Sequence, residues 1–212
     1  MLRTIVAVAV ITFGMAAPIE SVRAGSLPPG VEPTYGLINE RGNVGGYAQL
    51  TKDIAVTAAH LKVRGSVLSV PCVDVQFIER KGMALNWRQP AWHESVRSFG
   101  FRSWQDGTIT ETVIPGTTAK TVVSMCDGRF MAFTHSGIPN SGVSGGPVIG
   151  EDGAALGITI GASYDPEAQA EVAVFIPYHI IRALWESQGK IQACYLHDCP
   201  PLPVDQTQSE RG

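Results

Sequence analysis

Ten short apolar runs fill most of the span between residues 44 and 176: 44–50, 54–58, 67–70, 73–78, 96–101, 108–114, 121–125, 130–134, 154–160 and 171–176. Most are rich in β-branched residues, and Gly, Asn, Asp or Pro stands between them. Such side chains suit a pleated surface and lose rotamer freedom in a helix, so the runs predict strands. Their shortness and the turn signals between them predict a sandwich or barrel. The twin glycines Gly45 and Gly46 predict a bent or bulged first strand. One segment alone reads as helix. Pro177 opens it, Ile180, Ile181, Leu184 and Trp185 recur at helical spacing, and it ends near Glu186. The 23 glycines among 212 residues fit this turn-rich reading better than a helix bundle. Apolar residues at 44% against 17% charged exclude a mainly disordered chain. A net charge of -3 offers no basic surface for a polyanion, so nucleic acid is not an expected partner.

The first residues predict a targeting segment. Arg3 precedes an uncharged apolar run from Thr4 to Phe13, and small residues follow at Gly14, Ala16 and Ala17. That order describes a secretory signal peptide. The run is too short to cross a bilayer, which needs ~20 residues. Val22-Arg23-Ala24 supplies acceptable residues before a cut, so residues 1–24 are assigned as leader with cleavage after Ala24, the end at Ala17 being the second choice. The destination is secreted or periplasmic, with no membrane partner once the leader is gone. All four cysteines lie after it, and in an exported chain an even number favours disulfides. Cys194 and Cys199 are close in sequence and are paired with each other, which leaves Cys72 with Cys126. A metal site of Cys194, His197 and Cys199 lacks a fourth ligand, so no metal or cofactor is expected.

Two segments carry chemistry. In Ser141-Gly142-Val143-Ser144-Gly145-Gly146-Pro147-Val148 a serine stands among glycines. Backbone can approach a reacting carbonyl there, and the N–H groups of Gly142 and Ser144 can form an oxyanion hole. In Ile54-Ala55-Val56-Thr57-Ala58-Ala59-His60 an apolar strand ends in small residues and then a histidine. Small residues leave room for a nucleophile to reach the imidazole.

Together these segments resemble the chymotrypsin-like serine peptidases. Thr57-Ala58-Ala59-His60 is similar to that family's histidine motif, Gly142-Val143-Ser144-Gly145-Gly146-Pro147 is similar to its nucleophile motif, and His precedes Ser as it does there. The resemblance runs from about residue 35 to 187. It implies an all-β fold of two packed six-stranded-type β-barrels with a short C-terminal helix. The peptidase domain would span residues 25–193, and residues 194–212 would form a tail. It also implies an endopeptidase that cleaves protein or peptide substrates through an acyl-enzyme, with His60 as base and Ser144 as nucleophile. Asp74, leading the apolar run 75–78, is the expected third member. It lies only 14 residues after His60, and Asp106, in the turn-like Gln105-Asp106-Gly107, is its rival.

The resemblance further implies substrate-binding roles for Thr159, Ile160, Gly161 and Ala162 on the strand after the nucleophile, and a pocket-base position for Ile138. Residues 135–143 hold no acid, so a preference for Lys or Arg is unsupported. Thr159 stands where glutamyl-specific relatives carry histidine, so an acidic preference is unsupported as well. His135 is expected on a surface loop. Val143 replaces the aspartate that binds a freed N-terminus in digestive members, so activation of that type is not expected. Two other readings compete. Gly142-Val143-Ser144-Gly145-Gly146 also satisfies the nucleophile turn of α/β-hydrolases, with Asp165 and His179 as partners, but that fold needs a helix after the serine. A non-enzymatic binding protein on the same β scaffold is the other.

Overall fold

The structure, a computed structural model, describes residues 34–188 apart from Arg41, Asp127 and Arg129. The leader, the Cys194–Cys199 pair, the alternative metal ligands and the tail lie outside the described residues.

The chain forms two β units. In the first, β1 (Tyr35–Glu40), β2 (Asn43–Gln49), β3 (Ile54–Ala58), β4 (Ser66–Val70) and β5 (Val75–Glu79) make a five-stranded sheet in the order β1-β2-β3-β5-β4. In the second, β6 (Ser95–Ser103), β7 (Ile109–Met125), β8 (Phe130–His135), β9 (Pro147–Gly150), β10 (Ala155–Asp165) and β11 (Ala170–Pro177) close a six-stranded barrel. Helix α1 (Tyr178–Glu186) follows. The first unit thus pairs five strands rather than six.

All ten expected runs are strand in whole or in large part, with two of them fused. Residues 108–114 and 121–125 belong to the single long β7, which carries a register shift between Ala119 and Val122. Two strands lie outside the expected runs. β1 forms along the edge of β2, and β9 begins directly at Pro147, where an α/β-hydrolase would need a helix.

One core runs across both units. Val56 and Phe77 of the sheet, Ile158 and Ile176 of the barrel, and Ile181 and Leu184 of α1 are buried in one cluster. The helix buries its Ile180-Ile181-Leu184 stripe there, and Trp185 meets Phe77 at 5.2 Å between ring centroids. Each such side chain contributes about 1.5–3 kcal/mol of burial free energy. Ile160 packs against this cluster and also against the one beneath Tyr47 and Leu61. The Cys72–Cys126 disulfide joins the turn before β5 to the end of β7, as expected. The Tyr35 hydroxyl of β1 donates to Glu111 Oε1 of β7, and its ring tilts against Phe99 of β6.

Candidate active site

Strand register brings His60 and Asp74 together. β3 and β5 are direct antiparallel neighbours, with Ala58 opposite Val75. His60 follows that pair by two residues and Asp74 precedes it by one, so both reach the same edge. Fourteen residues suffice because β4 pairs on the far side of β5. The Ala59 N–H donates to Asp74 O at 3.1 Å, carrying the ladder one step further. Asp74 then uses both carboxylate oxygens on one residue. Oδ1 accepts the His60 backbone N–H at 2.8 Å, and Oδ2 meets His60 Nδ1 at 2.7 Å. A carboxylate accepts, so Nδ1 carries the proton and Nε2 keeps its lone pair. Asp74 sits at φ +60°, a conformation that Asp tolerates better than most residues. The His60 side chain remains 47% exposed. The Asp74 hydrogen bond, with the carboxylate's charge behind it, raises the imidazole above its ordinary 6.5, while partial burial opposes the rise. An open cleft lined by Lys62, Val63, Pro71 and Gln76 borders the pair.

Asp106 stands elsewhere. Its Oδ1 accepts the Thr108 N–H at 2.9 Å in the exposed β6–β7 turn, which holds its carboxyl below the usual range.

The serine loop is wedged between the units. The Ser144 carbonyl accepts the Gly46 N–H at 2.8 Å, which sets the loop against β2 beside β3. Gly145 lies at φ +82°, and an added Cβ would stand 2.3 Å from both Gly46 O and Thr57 Oγ1. Only glycine fits so close to the strand that leads to His60. On the barrel side the Gly145 N–H donates to Thr159 O at 2.6 Å, and the Thr159 N–H to Gly146 O at 2.9 Å. Gly142 lies at φ +98°, where a Cβ would meet the Phe101 carbonyl. Among the described residues no protein acceptor takes the N–H of Gly142 or of Ser144. Those two donors are therefore free for an incoming oxygen. No hydrogen bond joins the Ser144 hydroxyl to His60 among the described residues. Such contacts often tighten only when substrate binds.

The expected substrate-binding residues divide. Ile138 is 65% exposed, Ala162 is exposed, and Ile160 and Gly161 are half-buried. Thr159 is fully buried and turned inward, its Oγ1 donating to Ser98 Oγ at 3.1 Å. Its part in the loop is made by backbone.

His135 corrects the expectation of a surface loop. It ends β8 fully buried, with Nε2 2.7 Å from Ser98 Oγ and Nδ1 accepting the Gly137 N–H at 3.1 Å. Burial pushes its imidazole down to about 4, so it is neutral at ordinary pH. Ser98, His135 and Thr159 thus form a hydrogen-bonded chain behind the serine loop that the sequence does not announce. The hydrolase partners also stand elsewhere. Asp165 accepts from Thr121 and the β10–β11 turn, and the His179 ring lies against Phe133.

No protein-family model matches the chain, and no curated protein matches it. Solved structures do. The inactive form of the Rv3671c protease superposes with a TM-score of 0.59 at 20% identity, covering 75% of this chain and 90% of that one. The HtrA-type protease AlgW with a tripeptide gives 0.61 at 14% identity, over 76% of this chain and 62% of its own. The MamO protease domain from Magnetospirillum magneticum gives 0.54 at 16% identity, over 72% and 96%. With its two β units, the serine loop at their seam and helix α1 after the barrel, the chain has the chymotrypsin-like serine peptidase fold.

Proposed function

We propose that this chain is an exported serine endopeptidase with His60, Asp74 and Ser144 as its triad. The observation that carries the reading is the two-pronged Asp74–His60 bond at the seam, facing a serine loop with two unspent N–H donors. In the proposed reaction His60 Nε2 takes the Ser144 hydroxyl proton while Oγ bonds to the scissile carbonyl carbon. The carbonyl electrons move onto its oxygen, which the Gly142 and Ser144 N–H groups receive. Asp74 holds the Nδ1–H tautomer and offsets the charge of the imidazolium. His60 then gives its proton to the leaving amine, and an acyl-enzyme remains. Water attacks that ester by the same route in reverse and frees Ser144. Binding donors at the oxyanion stabilise the transition state beyond the ground state, which is what raises turnover.

The test is a fluorophosphonate probe and a mixed peptide library, with Ser144→Ala as the blank. Labelling at Ser144 with Ser144-dependent cleavage is the expected result. A folded wild type that neither labels nor cleaves is a binding protein on a peptidase scaffold. Export is tested apart: secreted material should begin at Gly25, and retention of Arg3 in the mature protein rejects the leader.

A further inference from the structure

The serine loop rests on β6 through a contact with no polar side chain in it. A Cβ added to Gly100 would lie 2.4 Å from Val143 Cα and 3.0 Å from both Val143 Cβ and Cγ1. Backbone therefore touches backbone at Gly100, and the Val143 side chain, 1% exposed, is enclosed there. Val143 also joins two fixed peptide planes. The plane before it is held by Phe101 N–H donating to Gly142 O at 3.0 Å and by Val143 N–H donating to Asn140 O at 3.4 Å. The plane after it is held by Gly146 N–H donating to Val143 O at 3.1 Å, which aims the opposite N–H, that of Ser144, away from the loop. A rotation at Val143 turns the second plane, and with it the free donor of Ser144, while the Gly142 N–H lies one plane further back in the Ser141–Gly142 peptide.

The geometry points to Val143, seated on Gly100, as the positioning residue of the Ser144 donor in the oxyanion hole: an apolar plug keeps that N–H aimed without an ion pair. Residues 135–143 hold no acid, so nothing on this loop waits for a partner charge. The inference rests on the peptidase reading and adds what holds its site in order. Truncating the plug opens a void beside the hinge, and packed interiors close such voids only in part. A methyl on Gly100 pushes the same Cα from below.

The experiment uses the full chain, with Val143→Ala and Gly100→Ala as test variants. Three quantities are measured: kcat and KM on a peptide whose cleavage requires Ser144, affinity for the matching peptide aldehyde, and affinity for the same peptide with its scissile carbonyl reduced to CH2. The aldehyde adduct needs the oxyanion donors and the reduced peptide does not. Both test variants are expected to lose kcat toward the ~10²-fold scale of one missing oxyanion donor. Aldehyde affinity should fall in step, while KM and reduced-peptide affinity should hold. A folded Val143→Ala with wild-type kcat overturns the inference, as does an equal loss of reduced-peptide binding, which marks general loosening. A Val143→Ala that does not fold passes the decision to Gly100→Ala on the same criteria. A wild type without Ser144-dependent cleavage rejects the peptidase reading itself, and the positioning role with it.

Discussion

The two halves of the candidate site are built from different materials. The N-terminal sheet contributes polar side chains, His60 and Asp74, held by hydrogen bonds on a half-open rim. The barrel contributes backbone, a loop whose glycines press against β2, β3 and β6. Register and charge set the first half, and excluded volume sets the second. The first is therefore expected to yield to pH and charge changes, the second to a single methyl group.

The sharpest test asks whether the halves act as one device. Ser144→Ala and His60→Ala should each lower kcat on the order of 10⁶-fold, and the double variant should be no worse. Losses that add would mean that each half catalyses alone. Next comes Asp74→Asn, expected to cost on the order of 10⁴ in turnover through loss of the orienting carboxylate, while Asp106→Asn stays near wild type. If Asp106 shows the larger loss, the register argument fails. The same pair reads the pH effect. His60 must be neutral to act as base, and a raised pKa moves the acid limb of kcat/KM above the ordinary 6.5. Asp74→Asn should bring that limb down, and Asp106→Asn should leave it in place.

Stability separates the halves further. Breaking Cys72–Cys126 with serines at both positions releases a crosslink spanning 54 residues, and loop-closure entropy puts the cost at roughly 4 kcal/mol. Urea midpoints report it, and an unchanged midpoint means that packing across the seam suffices without sulfur. The smallest expected effect belongs to His135. Its folded value of about 4 lies below the ordinary 6.5, so the unfolded chain binds more protons between those limits. Stability should therefore fall as pH drops from 6.5 toward 4, by at most about 3 kcal/mol from this group. His135→Gln should flatten that slope, and a slope equal to wild type would place the acid sensitivity elsewhere.

How much of this was legible in the sequence follows from how local each cause is. His60 and Ser144 stand in motifs whose small neighbours are themselves the requirement, so both could be proposed from the sequence directly. Asp74 was readable as the start of an apolar strand, but its short spacing looked costly until the β3–β5 register explained it. His135 was misread because its burial is made elsewhere in the chain. Ser136 and Gly137 look like loop, yet an added Cβ on Gly116 would lie 2.4 Å from His135 Nδ1, so that glycine makes room for the ring. Pro115 and Gly116 look like a turn for the same reason, and they stay inside β7. Tyr35–Glu40 has little strand signal of its own, and pairing with β2 makes it a strand.

The position of the Cys72–Cys126 bond bears on survival after damage. Under the proposed activity, copies of the chain could cut one another, and the link between the two β units holds exposed residues, Lys81, Met83 and Trp92 among them, that such a cut would meet. Any single cleavage from residue 75 to 125 leaves His60 and Asp74 on a fragment that ends beyond Cys72, and Ser144 on a fragment that begins before Cys126. Sulfur still joins the two pieces. The nicked molecule then migrates whole without reductant and as two bands with it, and all three members of the proposed triad remain in one covalent particle.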